Sequence, residues 1–131
     1  MAKQTNRTIP TSRACGHSGP NILAEFLASQ SGLVSLVSDY DADGLSSAVL
    51  MESFLRRTDR SFSLRTPVQD RNIWDTPTER WLAADAALAI VMDLGCRGDK
   101  LFPVPTLFID HHKDNPPSSG DLLYAGYDRD P

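Results

Sequence analysis

Three apolar runs in this chain each stop at an aspartate. They are L-V-S-L-V-S-D ending at Asp39, A-L-A-I-V-M-D ending at Asp93, and P-T-L-F-I-D ending at Asp110. Each run is short and largely apolar on both sides of the strand period. That is how a strand buried on both faces reads, and such strands belong to parallel sheets. Parallel neighbours need long crossover connections, usually helices. The intervening segments meet that requirement. N-I-L-A-E-F-L-A-S puts Ile22, Leu23, Phe26 and Leu27 at helical spacing, with Gly32 as its stop. From Leu45 the period is helical again, with Leu45, Ala48, Met51 and Leu55 on one face and Leu50 and Phe54 beside it. Arg56 and Arg57 near its end suit the helix dipole. In T-P-T-E-R-W-L-A-A-D-A-A, Thr76 caps, Pro77 fits the first turn and Glu79 completes a capping box. S-F-S-L-R-T-P-V adds a strand of period two, and D-L-L-Y-A-G-Y a fifth. The expected fold is α/β, a parallel sheet of about five strands with helices on both faces.

A chain of 131 residues has room for one such core. We expect residues 1–20 to be a disordered leader and residues 21–131 to form the domain. The composition, 40% hydrophobic and 23% charged, is that of a folded soluble protein. A formal net charge of -4 gives no general attraction to nucleic acid or anionic membrane, so any basic groove has to be local. No apolar run is long enough to span a bilayer, and no apolar segment follows Lys3, Arg7 and Arg13 as in a signal peptide. Cys15 and Cys96 form no C-x-x-C pair and read as free thiols in a reducing cytoplasm, the expected location. His17 beside Cys15 offers two ligands in a polar leader, which is not a site.

The stretch S-D-Y-D-A-D-G resembles the start of an EF-hand calcium loop. Its twelfth position, where a bidentate Glu is required, is Leu50, and a strand precedes it where an EF-hand has a helix. Calcium binding of that kind is excluded. Taken alone, the loop is equally an acidic turn capping the next helix. It does not stand alone. Ligands of open parallel sheets gather outside the carboxyl ends of the strands. Asp39, Asp93 and Asp110 all end strands at that edge, and His111 and His112 follow in I-D-H-H. Carboxylates with imidazoles at one sheet edge suit hard divalent cations, manganese among them.

D-Y-D-A-D-G-L-S-S-A, V-M-D and I-D-H-H, in this order and strand context over residues 33–116, resemble motifs of the DHH phosphoesterases in their RecJ-like form. The resemblance implies a metal-dependent hydrolase of phosphodiester bonds with two Mn2+ or Mg2+ ions. It implies single-stranded DNA or short oligonucleotides as substrate. By it, Asp93 bridges the ions, Asp39 and Asp41 serve the first, and Asp43 and His111 serve the second. His112 faces the substrate phosphate, and Asp110 orients a neighbouring histidine. Gly44 lets the chain turn sharply into the helix. Ser46 and Ser47 either touch phosphate or belong to the helix's first turn. Arg65 is a candidate substrate contact, while Arg71 reads as a solvated surface residue. Trp74 could stack on a base, and Trp81 reads as core.

Members of that family continue into a fourth aspartate motif and a smaller C-terminal domain with a glycine-rich substrate motif. Asp121, Asp128 and Asp130 follow His111 too closely to be that aspartate and read as loop residues. The expectation is therefore an incomplete DHH domain, the N-terminal part only. A manganese-dependent inorganic pyrophosphatase is the alternative enzyme. A non-catalytic DHH-derived module that binds a replication or repair protein is the alternative from another class.

Overall fold

The computed structural model describes residues 19–67, 72–74, 82–112 and 116–125. Within them the order is α1 (Gly19–Ala28), β1 (Val34–Ser38), α2 (Ala42–Arg57), β2 (Phe62–Arg65), β3 (Leu88–Met92), β4 (Thr106–Asp110) and β5 (Leu122–Ala125). All neighbouring strands are parallel, and the five form one sheet ordered β2-β1-β3-β4-β5. The α/β expectation holds in its strands, their number and their direction. The chain moves outward from β1 to β2, then crosses back to start β3 on the other side of β1. This reversal opens a crevice beyond the carboxyl ends of β1 and β3.

The register sets what meets at that edge. Ser38 pairs with Met92, and Met92 with Ile109. The next residue on each strand is an aspartate, so Asp39, Asp93 and Asp110 form a row across three strands. Backbone bonds hold the row: Asp39 N–H donates to the Met92 carbonyl (3.2 Å), and Asp93 N–H to the Ile109 carbonyl (3.0 Å).

One face of the sheet packs Val34, Leu36, Leu88, Ile90, Met92, Leu107 and Leu122 against Phe26 of α1 and Ala48 and Leu55 of α2. Both described helices therefore lie on that face. The other face buries Val37, Ala89, Val91, Phe108 and Leu123 under Ile73, Leu82, Ala83, Leu101 and Phe102, which are in loops and tight turns. The segment at Leu82 is pinned from two strands, since Ser35 Oγ (2.5 Å) and Arg65 Nη1 (2.7 Å) both donate to its carbonyl. Of the helix expected over residues 76–87, residues 76–81 lie outside the described residues. Leu82 and Ala83 form a 3-10 turn instead of continuing an α-helix. Most of the expected leader lies outside the described residues too, although α1 already begins at Gly19.

Two expectations for α2 change. It starts at Ala42, ahead of Leu45, so Asp43 and Gly44 lie inside its first turn. Its buried residues are Gly44, Ala48 and Leu55, whereas Leu45, Leu50 and Phe54 are exposed. The helix touches the sheet through a narrower stripe than its apolar residues suggest. Helix α1 ends at Ala28, ahead of the expected stop at Gly32, which instead takes φ 115° in the connection to β1; Arg60 donates to the Leu27 and Gln30 carbonyls at the helix end (2.7 and 2.8 Å). Among the described residues no helix is long and apolar enough to cross a membrane.

Candidate metal centre

The loop between β1 and α2 is short because Asp41 both ends the turn and caps the helix. Its backbone is extended, and its Oδ1 accepts from Gly44 N–H at 2.9 Å. One orphan donor of the helix is thereby satisfied. Gly44 serves a different purpose from the expected sharp turn. A Cβ on it would stand 2.5 Å from the Asp39 carbonyl oxygen, so only glycine lets α2 start this close to the end of β1. Asp39 is fixed as well, its Oδ1 accepting from Tyr40 N–H at 2.7 Å.

Asp93 sits in the middle of the row, buried, with φ 61°. Aspartate enters this left-handed region only at some energetic cost, and such strain collects at functional sites. Its carboxyl is held above the ordinary value of 3.8, first by burial and then by the negative charges of Asp41 and Asp110; His111 and His112 pull the other way. A buried carboxylate with two like charges beside it has a site deficient in positive charge. A cation bound there would supply what is missing.

Asp110 closes β4 and is saturated with donors. Gly95 N–H reaches its Oδ2 (2.5 Å), and its Oδ1 accepts from His111 N–H (2.6 Å), His112 N–H (2.9 Å) and His112 Nδ1. Buried among these, it shapes the turn and orients His112. His111 turns to the other acid, with Nε2 3.0 Å from Asp93 Oδ1. His112 Nδ1 lies 3.8 Å from that same oxygen.

Among the described residues, two groups of side chains bring ligand atoms within 4.8 Å of one another: Asp39 with Asp41 and Asp93, and Asp93 with Asp110, His111 and His112. Asp93 belongs to both. The buried carboxylates of Asp93 and Asp110, with the exposed imidazoles of His111 and His112, can hold a metal ion. Asp43 is in neither group and is exposed on the first turn of α2. Arg65 closes β2, level with Val37 of β1, and pairs with Asp85 at 3.0 Å besides donating to Leu82. Asp121 lies in a loop as expected, but it is fully buried, accepts from Thr106 N–H and Ser118 Oγ (both 2.9 Å) and pairs with Lys100. It precedes β5, at the edge opposite the acidic row.

The crevice has a volume of ≈ 390 Å³ and is lined by Asp39, Tyr40, Asn72, Ile73, Asp93, Leu94, Gly95 and His112. Sequence reasoning missed Tyr40, Asn72 and Ile73 as lining residues and Gly95 as a donor to Asp110. Position was the available signal for two of them, since Tyr40 lies between two strand-end acids and Gly95 lies just past Asp93. Trp74, a candidate base-stacking residue, instead stacks on Phe108 with centroids 5.7 Å apart, and its Nε1–H points to the Leu94 carbonyl (3.3 Å). It supports the floor of the crevice.

Comparison with family models, with curated proteins and with solved structures returns no match for this chain.

Proposed function

We propose that this chain is a metal-dependent phosphoesterase of RecJ-like type, hydrolysing phosphodiester bonds of single-stranded DNA or short oligonucleotides with two Mn2+ or Mg2+ ions. One observation carries the reading: two potential ligand groups share Asp93 at the switch point of a parallel sheet. A carboxylate common to both groups is what a paired metal centre needs, and the three motifs that resemble the DHH family supply it.

The donor chemistry fits. Asp39 and Asp41 with Asp93 offer hard oxygens, and His111 with Asp93 offers the mixed set manganese accepts. Asp39, Asp41, Asp93 and His111 would hold the ions, which would supply polarisation of a phosphoryl oxygen and a bound water of lowered pKa. The chain's own residues do the rest. Asp41 caps α2, and the cap holds its carboxylate beside Asp39 and Asp93. Asp110 holds His112 by Nδ1, and contact with the phosphate falls to Nε2. Ile73 and Leu94 add apolar surface to the lining, which limits water there.

The experiment is a manganese-dependent panel of single-stranded DNA, a dinucleotide, a cyclic dinucleotide and pyrophosphate, run with the folded chain and with Asp93→Asn. Hydrolysis of the DNA or dinucleotide, lost on chelation and in the variant, supports the proposal. Cleavage of pyrophosphate alone replaces it with the pyrophosphatase reading. An incomplete domain is expected to turn over poorly, so silence on all four overturns the proposal when it comes from a folded full-length chain.

A further inference from the structure

We propose that Tyr40 is a stacking platform for a nucleobase carried by the phosphate that enters the crevice. The inference rests on the phosphoesterase reading and narrows its substrate to a nucleotide. Tyr40 is 46% exposed although it stands between two candidate ligands, Asp39 and Asp41. Its backbone N–H is tied to the Asp39 carboxylate, so the root of the ring is fixed beside the acidic row.

The crevice is lined by two chemically different sets of side chains. Asp39, Asp93 and His112 suit cations and phosphate, while Tyr40, Ile73 and Leu94 contribute apolar surface. A phosphate gains nothing from apolar surface, and neither does pyrophosphate. A phosphoester with a planar ring uses both sets at once. Asn72 adds a polar group to the lining. Its Oδ1 accepts from Trp74 N–H at 2.9 Å, so the amide nitrogen is what it offers to the edge of a base. Stacking on an aromatic ring is tolerant of base identity, because every base has a π-face. The contact therefore selects for a base without selecting which.

The test is equilibrium binding to the full chain in Ca2+, followed by NMR, with thymidine 5′-monophosphate and deoxyribose 5-phosphate as probes. The wild type is expected to bind the nucleotide about tenfold more tightly than the sugar phosphate. Tyr40→Ala is expected to erase that preference, leaving sugar phosphate binding unchanged, and Tyr40→Phe to keep it. Equal binding of both probes by the wild type overturns the proposal. So does a preference that survives Tyr40→Ala, or failure of the wild type to bind either probe. The parent reading fails separately: preference dependent on Tyr40 without hydrolysis in the substrate panel leaves a nucleotide-binding crevice and removes the enzyme.

Discussion

The carbonyl oxygen of Asp39 stands 2.5 Å from where a Cβ on Gly44 would be, and this close approach joins the end of β1 to the start of α2. Alanine at this position gains about 1 kcal/mol of helix propensity over glycine. The clash is with backbone, which no rotamer change relieves, and overpacking costs about 1–3 kcal/mol. Displacing the helix start also moves the Asp41 carboxylate. Gly44→Ala is expected to lower stability by about 1–2 kcal/mol in urea denaturation and to weaken Mn2+ binding. A variant as stable as the wild type, with the same Mn2+ affinity, would contradict this.

Asp93 gives a pH dependence with a defined sign. Its pKa is raised in the fold, so the folded state holds the proton more tightly than the unfolded chain. The associated stability is fully present below the ordinary carboxylate value of 3.8 and is lost as pH rises through the raised value. In chelator-treated protein at neutral pH, Asp93→Asn should therefore raise the melting temperature, and asparagine tolerates the residue's positive φ. The difference should close when both proteins are melted near pH 3. Added Mn2+ should stabilise the wild type by ligand linkage and leave the variant unchanged.

Asp41 and Asp43 should separate cleanly. Asp41→Ala removes a candidate ligand and the α2 cap, with a stability loss of about 1 kcal/mol and a loss of Mn2+ binding. Asp43→Ala removes only an exposed first-turn charge, with a loss of about 0.3–1 kcal/mol and Mn2+ affinity close to wild type. Calorimetric titration of both variants decides it. A large loss of affinity in Asp43→Ala would mean that Asp43 joins the centre after all.

Asp110→Asn places an amide where Gly95, His111 and His112 all donate. His112 loses its orienting partner. Mn2+ affinity or hydrolysis should fall about 10–100-fold, as for other residues that support metal ligands. Full activity of a correctly folded Asp110→Asn protein would show that orientation of His112 is dispensable.

At the opposite edge, Lys100→Met leaves the buried carboxylate of Asp121 without its cation. The ammonium is partly exposed, so the loss should be about 2 kcal/mol, near that of one charged hydrogen bond. Mn2+ affinity should not change, because Asp121 and the acidic row lie at opposite ends of the strands. A matching loss of affinity would mean that the two edges are coupled.

The strands were legible in the sequence because their signal is local. Short, largely apolar segments ending in aspartate define β1, β3 and β4 without reference to anything else. The cap at Asp41 was partly legible too, as an acidic turn before a helical period. The exposure of Leu45, Leu50 and Phe54 was not. An apolar helix face read from periodicity says which residues are able to be buried; the sheet beneath decides how wide a stripe it covers. Asp121 looked like any loop acid, because nothing local marks the lysine twenty-one residues before it as its partner.

The sequence by itself determined that three apolar strands end in aspartate, that the third is followed by two histidines, and that helices separate the first strands. Those are properties of short windows. Which acids meet was decided only by tertiary structure. Strand order brings β1, β3 and β4 side by side, and register aligns their last residues into one row. Helical rotation of about 100° per residue then turns Asp43 away while the capping Asp41 stays with Asp39 and Asp93. Spacing along the chain cannot contain that result, because it depends on contacts between residues more than fifty positions apart, such as Asp39 and Asp93.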